Sequence, residues 1–272
     1  MLDLLCPVCG GRLAREEKVW RCGRRHSFDV SRSGYVNLLP PSAAGKRHGD
    51  DKRMVAARTA FLSRGYYDPI IRAAAAMSAQ VCAADSCVVD AGCGEGTYTK
   101  AISDACAAAG RPVRIVGIDL STDALRHAAR LVPDGVFCAA STAHMPLADG
   151  CAQLLLNIFS PYMQAEFLRV LAPGGYLLRA VPLERHLWEL KAAVYDRPYE
   201  NPPIELPLDG FRLVREERIV TTAALTSNAD VKNLFLMTPY YYKTGAEDQK
   251  KLDHIAALPV TAAVSLALYQ KI

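Results

Sequence analysis

The segment that most constrains this chain is Val88-Val89-Asp90, followed at once by Ala91-Gly92-Cys93-Gly94-Glu95-Gly96 and then a helical stretch. An apolar strand ending in an acid, a glycine-rich turn and a helix together open a strand–helix–strand unit, and such units complete themselves as a parallel sheet. The same alternation continues downstream. Strands are expected at 87–90, 113–119, 136–140 and 154–158, with helices at 97–109, 123–131 and 164–171, the second of these capped by Ser121 or Thr122. Pro173-Gly174-Gly175 makes a turn into a strand at 176–181, and strand-like runs at 212–220 and 262–269 can pair at a sheet edge. Upstream, helical patterns cover 54 to about Gly65 and 73–81. The expectation is an α/β protein, with a mostly parallel sheet and helices on both faces.

In an open sheet of this kind, ligands bind outside the carboxyl ends of the strands, where glycine lets the backbone approach closely. A glycine-rich turn alone also reads as nothing more than a tight turn. Here the spacing is Gly-x-Gly-x-Gly with Thr97 next, so the dinucleotide pattern Gly-x-Gly-x-x-Gly is not met. Gly117-Ile118-Asp119 ends the next strand in a carboxylate suited to two ribose hydroxyls, which also disfavours a phosphorylated ribose. With Ala172-Pro173-Gly174-Gly175 before the fifth strand, these segments resemble the Rossmann-like methyltransferases. The resemblance implies a seven-stranded, mostly parallel sheet and S-adenosylmethionine held by Asp90, Gly92, Gly94, Glu95, Gly96 and Asp119. Many such enzymes carry an acid about five residues before a Met-Pro or Leu-Pro pair, against the adenine amino group. Here Ser141 holds that place before Met145-Pro146, and its hydroxyl or the local backbone would serve.

Near the N-terminus, Cys6-x2-Cys9 and Cys22-x3-His26 present three thiolates and one imidazole at zinc-ligand spacing. Some thirty residues with few large apolar side chains cannot fold by core burial alone, so a metal staple is expected. Four protein ligands leave no open position, which makes one structural Zn2+ per chain. Arg24 and Arg25 fall between the last two ligands, where a knuckle would hold them outward, as phosphate contacts or simply as solubilising charge.

Charge is unevenly placed. Residues 1–65 carry 13 Lys/Arg against 6 Asp/Glu, a net +7, while the remainder is −3. A basic front end on a slightly acidic body suits a large anion, and nucleic acid is the usual one; a solvated basic surface is the bland alternative. No apolar stretch reaches the roughly eighteen residues of a membrane span, and the first residues lack a signal-peptide layout. The expectation is therefore no membrane partner and a cytoplasmic location. Without a secretion signal, the nine cysteines do not read as a disulfide framework. The organisation expected is a zinc-binding RNA-recognition module over 1–36, a polar linker over 37–53 and a methyltransferase domain over 54–272.

Several segments sharpen the reading: His26-Ser27-Phe28-Asp29-Val30, Gly34-Tyr35-Val36-Asn37-Leu38-Leu39, Gly65-Tyr66-Tyr67-Asp68-Pro69, Arg185-His186-Leu187-x-Glu189-Leu190-Lys191 and Met237-Thr238-Pro239-Tyr240. In order and spacing, over nearly the whole chain, they resemble the bacterial 23S rRNA guanine-N1 methyltransferases of the RlmA type. The resemblance implies methyl transfer to N1 of a guanine in a hairpin of 23S rRNA domain II. It implies that Tyr67 covers the cofactor and that His186 approaches it from the other side, where the residues alone suggest only a core aromatic and a capping or surface histidine. Asn157-Ile158-Phe159-Ser160-Pro161 stands where amino-directed methyltransferases carry (Asp/Asn)-Pro-Pro-aromatic and matches it only in part. Guanine N1 bears a proton that must leave. His186 is the candidate to accept it, Asn157 the candidate to orient the purine edge, and Glu189 reads as an ion-pair partner. Arg24, Arg25, Lys46 and Arg47 are the expected RNA contacts, and a homodimer is one arrangement that would frame an RNA cleft. Two other functions fit the same cofactor fold: methylation of a small molecule, and non-catalytic RNA binding with a retained cofactor pocket.

Overall fold

The computed structural model describes residues 4–40 and 49–272. The N-terminal segment forms a small antiparallel sheet of β1 (Leu13–Glu16), β2 (Val19–Cys22) and β3 (Ser27–Asp29), in the order β1-β2-β3. Trp20 on β2 opposes Phe28, and Trp20 and Leu13 are buried.

The large sheet contains β4 (Tyr35–Asn37), β5 (Cys87–Ala91), β6 (Arg114–Asp119), β7 (Val136–Ala139), β8 (Ala152–Ile158), β9 (Leu171–Pro182), β10 (Phe211–Leu225) and β11 (Leu258–Lys271). Its order is β10-β11-β9-β8-β5-β6-β7-β4. From β9 to β4 every pairing is parallel, while β11 runs antiparallel against both β9 and β10. This is the expected Rossmann-like methyltransferase sheet, extended by one strand. Tyr35-Val36-Asn37 pairs in register with Phe137, Cys138 and Ala139, and Val36 is buried. The small module is consequently no free-standing unit. Leu4 bridges to Leu147, Leu5 N–H donates to Pro146 O at 2.8 Å, and Leu4, Leu13 and Trp20 join the apolar layer lined by Val89, Val116 and Leu155. A division between residues 36 and 37 would pass through a strand.

Helices α1 (Lys52–Leu62), α2 (Asp68–Val81), α3 (Thr97–Ala108) and α4 (Thr122–Leu131) pack on the sheet face opposite that module, together with α6 (Trp188–Val194) and α7 (Asn228–Leu236). The helix α5 (Gln164–Val170) lies on the module's side. Helix α2 begins five residues before the expected Ala73, because Pro69 sits in its first turn with Asp68 beside it, where a fixed φ and an acid both favour helix entry. Ser121 caps α4 by accepting from Ala124 N–H at 3.1 Å. The end of the linker is also fixed: Asp51 caps α1, and Ser121 Oγ donates to Asp50 O at 2.5 Å.

Strand β5 lies between β8 and β6, the two strands reached by crossovers in opposite directions. The crevice above its carboxyl end is therefore the topological switch point, where a ligand is expected. Among the described residues no helix is long and apolar enough to cross a membrane.

Candidate active site

The turn after β5 is shaped by its neighbours as much as by any ligand. Gly92 and Gly96 both have φ +93°. A Cβ at Gly92 would fall 2.6 Å from Ser160 Cβ, and one at Gly96 2.8 Å from Ala128 Cα of α4. The first glycine admits the β8 loop, and the second admits a packed helix. At Gly94 a side chain would instead point toward Arg58 Nη1, 3.6 Å away. Backbone approach to a ligand thus accounts for the middle glycine better than for the outer two.

Carboxylates surround this turn. Asp90 is buried beneath it and accepts from Thr99 Oγ1 at 2.6 Å. Burial, aided by the charges of Asp119 and Glu95 and opposed by the Thr99 bond, pushes its carboxyl up to about 7. Asp119 ends β6 and accepts from Gly94 N–H at 2.9 Å and from Ser121 N–H at 2.8 Å. Burial raises its carboxyl as well, against those two donors. With about four lone-pair sites on a carboxylate, two remain for a ribose diol. Glu95 is buried in the same turn. A site walled by three acids suits a ligand carrying a sulfonium and an ammonium group.

Arg58 and Tyr98 were not found from the sequence. Arg58 of α1 is ion-paired with Asp50, donates to Met237 O at 3.0 Å, and reaches over the glycine turn. Tyr98 is the second residue of α3, just past the turn, and its hydroxyl is buried with no hydrogen-bond partner among the described residues. An orphaned buried hydroxyl calls for a group that completes it. The residues therefore fit S-adenosylmethionine: acids on the ribose and ammonium sides, and Arg58 with Tyr98 for the carboxylate. Only the tertiary fold aims Arg58 and Tyr98 at the loop, so a local pattern does not single them out.

Beside this turn stands an aromatic cluster. Phe159 lies 6.0 Å from His186 (interplanar angle 29°) and 6.3 Å from both Tyr67 and Tyr98, centroid to centroid. Tyr67 and His186 are buried, whereas Phe159 is 41% exposed and has φ +51°. The fold packs His186, Tyr67 and the β8 loop into one cluster, whereas the resemblance implied that Tyr67 and His186 approach the cofactor from different sides. It does not arrange His186 as a base. Ala263 N–H donates to His186 Nδ1 at 3.1 Å, which leaves the ring proton on Nε2, 3.4 Å from the Tyr67 hydroxyl. Burial, opposed by the Ala263 bond, lowers the imidazole to about 4. Its one basic lone pair is already used.

Asn157 is also committed internally. Its Nδ2 donates to Ser160 Oγ at 2.6 Å, Ser160 O at 3.0 Å and Pro161 O at 3.1 Å, and its Oδ1 accepts from Arg179 Nε at 3.3 Å. Ser160 Oγ in turn donates to Ala91 O at 2.6 Å. Asn157 therefore builds the loop instead of presenting a free amide. Glu189 accepts from Thr261 N–H and Oγ1, both at 2.8 Å, so its partner is a strand end and not the expected cation. Ser141 follows β7 next to Asp119, and its hydroxyl accepts from Ala143 N–H at 3.2 Å.

The metal ligands come together. His26 Nδ1 lies 3.5 Å from Cys6 Sγ and 3.4 Å from Cys22 Sγ, Cys9 Sγ lies 3.7 Å from Cys22 Sγ, and all four ligand atoms lie within 4.8 Å of one another. Tetrahedral zinc with ordinary bond lengths needs sulfur–sulfur separations of about 3.8 Å and sulfur–nitrogen separations of about 3.5 Å. No ligand pair is a disulfide. At Cys22 burial opposes ionisation, but the backbone N–H groups of His26 and Arg24 outweigh it and bring the thiol down to about 6. Gly10 and Arg25, both at positive φ, close the two knuckles. Arg24 and Arg25 are exposed at the second, while Lys46 and Arg47 lie outside the described residues.

Comparison with known proteins agrees with this geometry. Residues 4–46 match the family model for the RlmA N-terminal zinc ribbon, and residues 88–175 match a methyltransferase domain. The 23S rRNA (guanine(748)-N(1))-methyltransferase of Streptomyces fradiae is 34% identical over 97% of this chain and 94% of its own length. A Micromonospora griseorubida protein, provisionally named a 23S rRNA (guanine-N(1)-)-methyltransferase, is 39% identical over 69% of this chain and 68% of its own length. One from Bacillus subtilis with the same provisional name is 29% identical over 98% of this chain and 96% of its own. With a zinc ribbon and a methyl-donor site joined in one body, and kinship along nearly its whole length, this chain belongs to the RlmA-type 23S rRNA (guanine-N1)-methyltransferase family.

Proposed function

We propose that the protein transfers a methyl group from S-adenosylmethionine to N1 of a guanine in a hairpin of domain II of 23S rRNA. The observation that carries this is the docking of the zinc ribbon, with Arg24 and Arg25 outward, on the body that holds the donor loop. A small acceptor requires no such module, and the loop glycines and Asp119 are present, which speaks against a non-catalytic relic. The guanine named for the Streptomyces fradiae relative is the first position to examine. A cytoplasmic location, and a homodimer framing the RNA, belong to the same reading.

The cofactor supplies a methyl group on a sulfonium, already activated for displacement. Asp119 would hold the ribose, Ser141 and its backbone would serve the adenine, and Arg58 and Tyr98 would hold the carboxylate end. Tyr67, braced by His186, closes the aromatic wall. The residues' work is positioning, since an in-line approach with little residual freedom removes most of the entropic barrier. Bound there, the cofactor would give its methyl carbon to N1 and keep the sulfur's electron pair, and the N1 proton would have to leave. His186, Asn157 and Glu189 are each engaged elsewhere, so we infer that the proton passes to water. A paired guanine hides N1, so the base is taken from a loop or extruded.

The test is incubation of purified protein and labelled cofactor with unmodified 23S rRNA, followed by reverse transcription. A polymerase stop one nucleotide before a single guanine is expected. Label passing to a small molecule and never to RNA would overturn the reading.

A further inference from the structure

The β8 loop has two sides. One carries Phe159 with Tyr67 and His186; the other opens on a groove of about 690 Å³ between the end of β9 and the proline-rich segment 201–209. This volume is in the range of sites that enclose a small planar ligand. Its inner wall is a stack: the Arg179 guanidinium lies 4.4 Å from the centroid of the Tyr162 ring and donates Nε to Asn157, the residue that ties the loop. The Tyr162 hydroxyl is buried and has no hydrogen-bond partner among the described residues. Pro202, Pro203 and Ile204 of the proline-rich segment also line it. That segment is pinned through Asn201, whose Nδ2 donates to Leu183 O at 2.8 Å and whose Oδ1 accepts from Lys191 Nζ at 2.8 Å. Lys191 is 1% exposed, so a desolvated ammonium is committed to holding this segment.

Resting on the function proposed above, we propose that this groove is a second nucleobase site, which takes an unpaired purine of the RNA adjoining the reacting guanine. Three features select a base over a phosphate. Glu205 and Asp209 in the lining repel anions and can accept from ring amino groups. The arginine of the lining is tied to Asn157 and presents a flat stacked face. The tyrosine–arginine stack and the pyrrolidine rings line one slot for a planar ring, the arrangement by which single strands are held. The groove lies on the same sheet face as the zinc ribbon, since Tyr162 and Leu208 pack against the layer that includes Leu4 and Trp20. An RNA held by Arg24 and Arg25 therefore arrives on the face where the groove opens. Occupancy would be felt at the methyl site through the Arg179–Asn157 contact.

The test uses the full protein and the domain II hairpin. Ile204→Trp fills the slot, and Tyr162→Phe removes only the unpartnered hydroxyl. Hairpin KM should rise about ten- to a hundredfold in the first and several-fold in the second, while cofactor affinity by calorimetry and Tm stay at wild-type values. Hairpins abasic at single loop positions should then show one nucleotide beside the target whose loss penalises wild type but not Ile204→Trp. Wild-type KM in both variants, or abasic penalties that persist undiminished in Ile204→Trp, would overturn the groove. Wild-type protein that methylates no RNA would instead overturn the function, and the groove with it. If Ile204→Trp melts early, Tyr162→Phe decides, because loss of an unpartnered hydroxyl costs the fold nothing.

Discussion

Asp90 sits inside the fold with a carboxyl raised to about 7, well above the ordinary value near 4. Between those two values the folded chain keeps a proton that the unfolded chain releases, so stability falls as pH rises from about 4 to about 7. Asp90→Asn should flatten that slope and raise the Tm of the ligand-free protein at pH 8 while weakening cofactor binding; thermal melts at several pH values check it. His186 shows the opposite sign. Its imidazole is lowered to about 4, so its contribution is intact above about 6.5 and is lost as pH falls toward 4. Nitrogen-15 NMR should find it neutral, with the proton on Nε2, throughout pH 6 to 9. His186→Gln should slow turnover yet leave the rise of rate with pH unchanged; loss of that rise would restore His186 as the base. The placing of Asp90 and Asp119 at the glycine turn and the gathering of the four metal ligands were legible because each resides in a local pattern. Arg58 and the engagement of His186 Nδ1 were not, because each depends on a partner far away in the chain: Met237 for Arg58, Ala263 for His186.

Among the elements, β5 to β9 could be read almost strand by strand, since a buried parallel strand is a short apolar run between turn signals. Strand β4 escaped notice because three residues carry no periodicity, and its partner β7 lies a hundred residues away. The glycine turn belongs to this scale too. Gly96→Ala would place a methyl against Ala128 at φ +93°, where the conformation alone costs roughly 1–2 kcal/mol. Gly94→Ala bears a similar conformational cost at φ +54° but meets no packed helix, only Arg58 at 3.6 Å. The first variant should melt several degrees lower, and the second should keep its Tm more nearly while losing cofactor affinity. The zinc ribbon is tied to the sheet through Leu4, Trp20 and β4. Chelation should therefore do more than unfold a tag: it should lower the melting temperature of the whole chain, with one zinc per chain released by metal analysis. A Tm indifferent to chelation would contradict the shared core.

For the molecule as a whole, one sheet face carries the helices that close the cofactor site, and the other carries the zinc ribbon and the proline-rich segment. The basic charge of the front end was visible in the sequence, whereas the placing of the zinc ribbon on the same face as the groove, with α1 on the other, was not. RNA affinity should fall steeply with salt. Replacing Arg24 and Arg25 together by alanine should reduce that salt slope by roughly one for each phosphate no longer neutralised, as titrations at several ionic strengths would show. Donor loop, zinc ribbon and groove all serve one chemical event, the methylation of a single ring nitrogen. Nuclease digestion of reacted 23S rRNA, followed by mass spectrometry of the nucleosides against standards, identifies that atom. The expected product is 1-methylguanosine carrying the cofactor's label, in one equivalent per RNA. Label in N2-methylguanosine, in another base, or in no nucleoside at all would contradict methylation at N1.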